Sequence, residues 1–361
     1  MKVNCFGYLY EIRGYTIFSR SFFLALSKKA DVRVVSLYHN VHHEKTPAAL
    51  EDLEKKGRFD IDFKDPAICI AYGNEMQKFC GSVRIGYVVF EVTRLPRDWV
   101  WQLRQLDQVW TPSQWGATVL KENGIDESKV HVVPEGVDTS IFNPNVPSYY
   151  ELKSDKFKFL VVGRFMERKS QIEVLKAFSQ EFKPEEPVQL LLLSLNVEES
   201  HLNIKERIAK SVTLRHPEIT IITPFDDHRA VANLYRSCNV LVATSKAEGW
   251  GLHIIESMAC GTPVITTNYS GQTDYVRKEN PLQLQVTEFE DIYDPWVYPE
   301  KGRYGKWAKI NIKDLREKMR WAYEHKDDLV RLGLQDAISV QSHWTWDKAA
   351  DKAMEILTAL G

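Results

Sequence analysis

The sequence predicts an α/β protein built from two doubly wound parallel sheets. Short, β-branched apolar runs alternate with amphipathic helical segments along almost the whole chain, which is the pattern of repeated βαβ units. A segment rich in proline and polar residues, 143–150, interrupts this pattern and indicates a domain boundary. The length of 361 residues is sufficient for two domains.

The first strand–helix series begins at the N-terminus. A short strand ends at Gly7, and Gly14 precedes the helix that follows. The loop of residues 7–15 could face a ligand or be a plain strand-to-helix turn. The predicted strands of this half are 2–6, 32–37, 67–71, 83–89, 108–110 and 130–133, and the predicted helices are 16–29, 48–56, 98–105 and 114–123.

The second half repeats the series and ends in helices. Residues 288–309 lack periodicity, and no element is predicted there. We expect one domain at 1–147, a second at 148–340, and a C-terminal helical segment at 341–361. The predicted strands are 157–162, 188–193, 219–223, 239–244, 264–267 and 282–286, and the predicted helices are 171–178, 201–214, 229–236, 252–259, 312–325, 326–337 and 346–360.

The composition is that of an ordinary globular protein, with 44% hydrophobic and 27% charged residues. The formal net charge of −2 gives no broad basic surface, which argues against a nucleic-acid partner. No apolar run approaches the roughly 18 residues of a membrane span, and the N-terminus shows no signal-peptide pattern. Because the five cysteines are scattered and form no Cys-x-x-Cys pair, we expect reduced thiols and a cytoplasmic protein.

The stretch 248–263 is the predicted ligand site. It reads Glu-Gly-Trp-Gly-Leu-His-Ile-Ile-Glu-Ser-Met-Ala-Cys-Gly-Thr-Pro and lies between two predicted buried strands. Gly249 and Gly251 allow the backbone to approach a ligand closely, and the first turn of the following helix offers unpaired N–H groups and a partial positive charge. Both features favour an anion, so the pattern indicates a phosphorylated ligand at the carboxyl edge of the sheet.

Two carboxylates accompany this anion site. Glu248 precedes the glycines, and Glu256 follows eight positions later inside the helix. Ionised carboxylates only accept hydrogen bonds, so a phosphate cradle flanked by two of them suits a sugar nucleotide, which has hydroxyls on both sides of its diphosphate. The alternative is that Glu248 caps the helix and Glu256 is a solvated helix residue. The spacing leaves both interpretations open.

Three cations follow the strand 157–162. Arg164, Arg168 and Lys169 lie in the loop before the next helix, where basic side chains can neutralise phosphate oxygens. A solvated basic loop is the alternative. Because Gly249 and Gly251 independently indicate a phosphate site, we favour the interpretation that this loop binds phosphate.

No metal site is predicted. Asp226 and Asp227 could suggest paired metal ligands, but they precede a predicted helix, where acidic residues act as N-cap and first-turn residues. His39, His42 and His43 are clustered in a loop, and neighbouring histidines rarely converge on one ion by themselves.

The pattern from Glu248 to Glu256 and on through Ser-Met-Ala-Cys-Gly-Thr-Pro-Val-Ile resembles the signature of the retaining glycosyltransferases called GT4. The segment 131–144, His-Val-Val-Pro-Glu-Gly-Val-Asp-Thr-Ser-Ile-Phe-Asn-Pro, is similar to the stretch that ends their first domain, and the loop with Gly14 is similar in position to their glycine-rich loop. The resemblance implies the GT-B fold, in which two Rossmann-like domains face each other across a cleft and the C-terminal helix crosses back to the first domain.

The same resemblance implies roles for individual residues. Arg164 and Lys169, five positions apart, would hold the donor's pyrophosphate and form the catalytic set with Glu248, which would bind hydroxyls of the donor sugar. Arg168 has no firm counterpart in the family, so it is not counted among the predicted site residues. Glu91 is a candidate because it lies where many members carry a histidine that contacts the donor sugar. The further donor-binding candidates are Gly14, Phe225 near the nucleotide base, Gly249, Trp250, Gly251, Leu252, and Glu256 at the ribose.

The reaction implied by the resemblance is transfer of a sugar from an NDP-sugar to a hydroxyl acceptor, which would be a glycan, a lipid-linked glycan or a small molecule. Neither a metal nor another cofactor is expected. No covalent nucleophile can be assigned, and retention in this family is ascribed to front-face attack with the leaving phosphate accepting the proton. The second domain would hold most of the donor, and the first domain the acceptor.

Two alternatives belong to other functional classes. A catalytically silent GT-B subunit that binds a nucleotide or glycan would account for the missing histidine, although both glutamates and the phosphate cations argue against it. An enzyme that glycosylates DNA would need more positive charge. Trp99 and Trp101 lie among Arg94, Arg97 and Arg104, and together they could form an aromatic–basic patch for peripheral contact with a membrane surface or for a sugar acceptor. We expect instead partly buried tryptophans with solvated arginines.

Overall fold

The computed structural model describes residues 1–10, 14–38, 47–146, 154–194, 196, 203–213, 215–223, 225 and 227–360. The chain forms two compact units. The first consists of Met1–Asp138 together with His343–Gly361, and the second of Thr139–Ser342.

The first unit contains a parallel sheet of six strands among its described residues, in the order β2-β1-β3-β4-β5-β6. The order runs in opposite directions on the two sides of β1, as in a doubly wound sheet. The strands are β1 (Lys2–Gly7), β2 (Asp31–Ser36), β3 (Ala67–Ile70), β4 (Arg84–Tyr87), β5 (Gln108–Thr111) and β6 (Val130–Val132), and the helices between them are α1 (Gly14–Ser27), α2 (Ala48–Phe59), α3 (Arg97–Arg104) and α4 (Gln114–Glu122).

The second unit contains a matching parallel sheet of six strands in its described part, in the order β12-β11-β10-β7-β8-β9. The order reverses between β7 and β10. The strands are β7 (Phe157–Val162), β8 (Val188–Leu193), β9 (Glu218–Ile222), β10 (Val240–Ala243), β11 (Val264–Thr267) and β12 (Gln283–Leu284), and the helices are α5 (Gln171–Glu181), α6 (Ile204–Ser211), α7 (His228–Arg236), α8 (Leu252–Ala259), α9 (Ile312–Glu324) and α10 (Lys326–His343).

Burial explains why the strands are mostly apolar. Every residue of β8 and β10 is buried, which requires cover on both faces of the sheet. The core of the second unit includes an aromatic cluster in which the ring of Phe159 lies 5.9 Å from that of Phe178 and 5.4 Å from that of Phe182. The prediction of two doubly wound parallel sheets is confirmed.

The last helix, α11 (Trp346–Thr358), belongs to the first unit. Its Trp346 ring stacks on Phe18 of α1 at 5.9 Å between centroids. Ion pairs join Lys28 to Asp347 at 3.0 Å and Lys29 to Asp351 at 2.7 Å. The predicted return of the C-terminal helix to the first domain is confirmed. The preceding helix α10 extends to His343 instead of ending near 337, because Val340 is fully buried.

The segment without sequence periodicity contains an antiparallel pair, β13 (Phe289–Asp291) and β14 (Lys306–Ala308). Two contacts attach this hairpin to the end of β10: Lys246 Nζ donates to Glu290 at 2.6 Å, and the Ala308 amide donates to the Lys246 carbonyl at 3.0 Å. Strands of three residues are too short to show alternation, which is why the sequence pattern does not reveal them.

Candidate functional site

The candidate site lies where the strand order of the second sheet reverses, between β7 and β10. In open α/β sheets, ligands bind outside the carboxyl ends of the strands at this point. The loop after β7 carries Arg164, Arg168 and Lys169, and the loop after β10 carries the predicted stretch that begins at Glu248. The two loops that are predicted to bind phosphate therefore lie at the same edge of the sheet.

The loop that enters α8 is held by the loop that follows β11. The Glu248 amide donates to Ser270 Oγ at 2.8 Å, and the Gly271 amide donates to the Glu248 carbonyl at 2.9 Å. A Cβ at Gly271 would overlap the carbonyl of Gly249, so only glycine permits this approach of the two backbones. Gly251, the N-cap of α8, has φ 99°, a conformation that favours glycine.

Trp250 is buried inside this loop, and its ring lies 4.9 Å from that of Tyr275. The Tyr275 hydroxyl lies 2.9 Å from the Trp250 carbonyl and 3.1 Å from that of Gly251. The indole therefore anchors the glycine loop from within the unit. The following residue, Leu252, begins α8, whose first-turn amides carry the partial positive charge of a helix start.

Glu248 is buried between two cations. Its Oε2 lies 3.0 Å from Arg168 Nη1, and its Oε1 lies 2.6 Å from Lys169 Nζ. Burial by itself would raise the pKa of this carboxyl, but the charges of Arg168 and Lys169 outweigh burial and hold the pKa well below its usual range. Glu248 is therefore ionised at neutral pH. It does not cap α8, since Gly251 occupies that position.

Arg168 was not among the predicted site residues, and it is the second partner of Glu248. Its Nη1 also donates to the Ala247 carbonyl at 2.8 Å, and its side chain is 9% exposed. The sequence signal was only its place beside Lys169 in the basic loop. The interpretation of that loop as solvated is wrong for Arg168 and Lys169, whose side chains are buried or nearly so.

His253, in the first turn of α8, is a further residue that the sequence did not indicate. Burial and the charges of Lys169 and Arg168 lower its pKa to about 3, against the opposing effect of Glu248. The imidazole is therefore neutral at physiological pH. A neutral ring beside Lys169 adds no positive charge to the site, but it can still donate or accept one hydrogen bond.

Glu256 lies inside α8 and is buried. The Tyr235 hydroxyl donates to its Oε2 at 3.4 Å. Burial raises the pKa of the Glu256 carboxyl to about 8. The alternative of a solvated helix glutamate is therefore wrong, and at neutral pH this side chain is mostly protonated, so it can donate as well as accept.

Arg164 and Phe225 are more exposed than the glutamates. Arg164 follows β7, and its carbonyl accepts a hydrogen bond from Gln171 Nε2 at 2.6 Å. Its side chain lines a cavity beside the loop. Phe225 follows β9 and is 36% exposed. Both lie beyond the carboxyl ends of strands in the second sheet, where the sequence placed them.

Gly14 and Glu91 belong to the first unit. Gly14 is the first residue of α1, and a Cβ there would meet no atom within 4 Å. Glu91 follows β4 and is half-buried. That Gly14 and Glu91 contact the donor stays a prediction.

The acidic residues before α7 act as predicted where they can be described. Asp227 is the N-cap of α7 and accepts from the Arg229 amide at 2.9 Å. Asp226 and the His39, His42 and His43 cluster lie outside the described residues. In the part of the chain that the structure describes, no group of three or more His, Cys, Asp or Glu side chains could hold a metal ion.

The tryptophans of α3 differ in exposure. Trp99 is half-buried, with its ring close to Gly73, whereas Trp101 is 57% exposed. The expectation of partial burial is confirmed for Trp99 and wrong for Trp101. Among the described helices, none is both long enough and apolar enough to span a membrane.

A comparison with protein families matches part of the second unit. Residues 145–286 match the model of the family described as glycosyl transferases group 1. The matched range contains Arg164, Lys169, Glu248 and Glu256.

Among curated proteins, the chain is 25% identical over 199 residues to a probable sucrose-phosphate synthase of Thermosipho melanesiensis, which covers 54% of this chain and 45% of that protein. It is 30% identical over 159 residues to the D-inositol 3-phosphate glycosyltransferase of Paenarthrobacter aurescens, covering 41% of this chain and 37% of the relative. The alignments thus span less than half the length of either relative.

Solved structures resemble the chain over its whole length. The sucrose-phosphate synthase of Thermosynechococcus elongatus matches with a TM-score of 0.70 and 18% identity, covering 100% of this chain and 99% of that one. Anabaena HepE, solved in complex with UDP and glucose, matches with a TM-score of 0.71 and 12% identity, covering 99% and 100%. The chain has the GT-B fold, and its second unit carries the region that matches the group 1 glycosyl transferases.

Proposed function

We propose that this protein is a retaining glycosyltransferase that moves a sugar from an NDP-sugar to a hydroxyl acceptor without a metal ion. The observation that carries the proposal is the ionised Glu248, held by Lys169 and Arg168 directly before the start of α8. This arrangement lies within the residues that match the glycosyl transferase family. The names of both curated relatives describe carbohydrate synthases or transferases, which supports the assignment to sugar transfer.

The donor's diphosphate would bind against the first turn of α8. The amides at Gly251 and Leu252, the Lys169 ammonium and the Arg164 guanidinium supply positive charge from two loops at the same sheet edge. Lys169 already contacts a carboxylate at 2.6 Å, so it would bridge Glu248 and a phosphate oxygen. The presence of UDP and glucose in the HepE complex supports a nucleoside diphosphate sugar as donor.

The two glutamates would bind opposite ends of the donor. Glu248, as an ionised acceptor, would bind sugar hydroxyls and fix the orientation of the ring. Glu256, largely protonated because burial raises its pKa to about 8, would bind the ribose both as donor and as acceptor. The sugar would then lie beside the cations that stabilise its leaving group.

Transfer would follow front-face attack. The acceptor oxygen bonds to the anomeric carbon while the bond from that carbon to the phosphate oxygen breaks, and the acceptor proton passes to the departing phosphate. Positive charge develops on the sugar ring and negative charge on the phosphate. Lys169, Arg164 and the α8 amides would stabilise the phosphate more strongly as the bond breaks, which is the condition for catalysis.

The test compares purified wild-type protein with the Lys169→Ala variant. UDP, GDP, ADP and their sugars are first screened by thermal shift, and release of the nucleoside diphosphate is then followed with candidate acceptors. We expect the rate to fall about 100- to 1,000-fold in the variant, because it loses one preorganised charge at the leaving group. Lys210→Ala, at an exposed lysine of α6, is the matched control and should turn over as the wild type does.

Other outcomes contradict separate parts of the proposal. Equal turnover by wild type and Lys169→Ala would exclude the phosphate assignment. A product whose anomeric configuration differs from that of the donor would exclude retention, and loss of turnover after chelation would exclude metal independence. Nucleotide binding without release of the diphosphate under any condition would identify a silent binding subunit.

A further inference from the structure

A cavity of about 500 Å³ lies in the second unit, beside the loop that carries Arg164. Its volume falls within the roughly 300–1,000 Å³ of ligand pockets. One wall is the loop after β7, and a second wall is the turn 294–297, which belongs to the segment between β13 and β14. The lining residues are Arg164, Phe165, Met166, Glu167, Asn196, Arg207, Asp294, Pro295, Trp296 and Val297.

Asp294 fixes the two walls relative to each other. This carboxylate is 2% exposed. Its Oδ1 accepts from the amides of Trp296 at 2.9 Å and Val297 at 3.1 Å, and its Oδ2 accepts from the Glu167 amide at 3.3 Å. The cavity is therefore a preformed feature of the fold.

The turn 294–297 places an exposed aromatic side chain, Trp296, at the cavity. The side chain of Trp296 is 62% exposed and that of Val297 is 49% exposed, although most large apolar side chains of this unit are buried. An exposed indole at the wall of a cavity that also carries charged side chains is typical of binding sites, because the ring offers a large flat contact at low entropic cost.

The charged side chains of the lining balance one another. Arg207 pairs with Glu167 at 2.5 Å and lies 5.1 Å from the centre of the Phe165 ring. Together with Arg164 and Asp294, the lining carries two positive and two negative side chains, so it has no net charge to favour a polyanion. A neutral ligand with a flat apolar face and hydrogen-bonding groups around its edge fits this lining, and a saccharide ring has that chemistry.

We propose that this cavity binds a saccharide ring of the glycan acceptor, stacked on Trp296 and hydrogen-bonded to charged side chains of the lining. The resemblance implies that the first domain holds the acceptor, so this proposal adds an acceptor contact on the second unit. Because Arg164 lines the cavity and is also the proposed phosphate ligand, a sugar bound here would lie next to the leaving group. The acceptor role rests on the proposed function, whereas saccharide binding does not. The inference makes Trp296 a specificity-determining residue.

The test measures saccharide binding by saturation-transfer NMR and calorimetry, with maltose, cellobiose and mannobiose as probes. Trp296→Ala removes the ring, Trp296→Phe keeps an aromatic face, and Tyr293→Ala is the matched control, since Tyr293 is a 47%-exposed aromatic of the same segment that does not line the cavity. We expect at least one probe to bind wild type and Tyr293→Ala equally, with affinity about tenfold lower in Trp296→Ala and largely restored in Trp296→Phe.

Binding of UDP, GDP and ADP is measured on the same variants and should be unchanged by Trp296→Ala, which also shows that the variant is folded. If no probe binds, or if Trp296→Ala binds as wild type does, the saccharide site is excluded. If saccharides bind as expected but no nucleoside diphosphate does, the proposed transferase function fails and the saccharide site stands.

Discussion

Glu248 and Glu256 are eight positions apart in one motif, and they differ in charge. Both are buried. Glu248 lies in the loop before α8 between Arg168 and Lys169, which keep it ionised. Glu256 lies inside the helix near the Tyr235 hydroxyl, and burial raises its pKa to about 8. Two glutamates of the same motif therefore offer a ligand different hydrogen-bonding chemistry.

The difference shows that burial alone does not determine the charge of a carboxyl group. Desolvation opposes ionisation at both positions, and only the presence of two cations reverses the outcome at Glu248. Pairs of carboxyls whose environments separate their pKa values commonly divide roles in active sites. In the proposed function, the ionised Glu248 would bind the sugar that is transferred, and the protonated Glu256 would bind the ribose of the nucleotide.

The largest expected effect follows from removing the charge of Glu248. Glu248→Gln leaves two buried cations without their carboxylate, so we expect the free energy of unfolding at pH 7 to fall by about 3–5 kcal/mol. Urea denaturation of wild type and variant measures the change. A loss below 1 kcal/mol would show that Arg168 and Lys169 do not depend on this carboxylate.

At Glu256 we expect the opposite effect, because removing the carboxyl group should raise the free energy of unfolding at high pH. A pKa raised from 4.5 to about 8 in the folded protein gives stability that is fully present below about pH 4.5 and is lost as pH rises to about 8. Glu256→Gln removes the titration, so the variant should gain on the order of 2–3 kcal/mol over wild type at pH 9. The full pKa shift corresponds to roughly 5 kcal/mol, and the expected gain is smaller because relaxation around the buried charge lowers the cost of ionisation.

Urea denaturation between pH 4.5 and 9 measures this second effect. Near pH 4.5 the two proteins should be nearly equal in stability, and the difference should grow with pH. A difference that does not change with pH would mean that Glu256 is ionised in the folded protein throughout this range.

The smallest effect is expected for an exposed pair. Lys210 contacts Glu206 one turn earlier in α6, with side chains 72% and 57% exposed. Lys210→Ala should change the free energy of unfolding by at most about 0.5 kcal/mol, because water screens such pairs. A loss as large as that of Glu248→Gln would contradict the view that burial makes the Glu248 contacts strong.

Much of the fold could be predicted from local pattern. Continuous apolar runs such as Val240–Ala243 indicate strands covered on both faces, and Gly251 has a backbone conformation at the start of α8 that favours glycine. The antiparallel pair β13 and β14 escaped prediction, because strands of three residues show no period. The end of α10 was misplaced, because Val340 is held in the helix by burial in the folded chain.

The candidate site was predictable in part. The motif indicated Glu248, Gly249, Gly251 and Glu256, and the spacing of the basic loop indicated Arg164 and Lys169. The structure brings Lys169 and Glu248 into contact. Arg168 and His253 were missed because nothing in their local sequence distinguishes a buried partner from a solvated side chain. Their roles depend on residues from distant parts of the chain.

The sequence by itself determined the two doubly wound sheets, the glycine-bounded start of α8 and the residue types of a phosphate site, because these depend on side chains within a few positions of one another. Only the tertiary structure decided which glutamate is ionised, which cation is buried, and that Trp296 lies at a cavity with Arg164. The physical reason is that charge state and cavity shape arise between segments about 80 to 130 positions apart, such as 168 with 248 and 164 with 296. Contacts between segments so far apart in the chain cannot be predicted from the local sequence pattern.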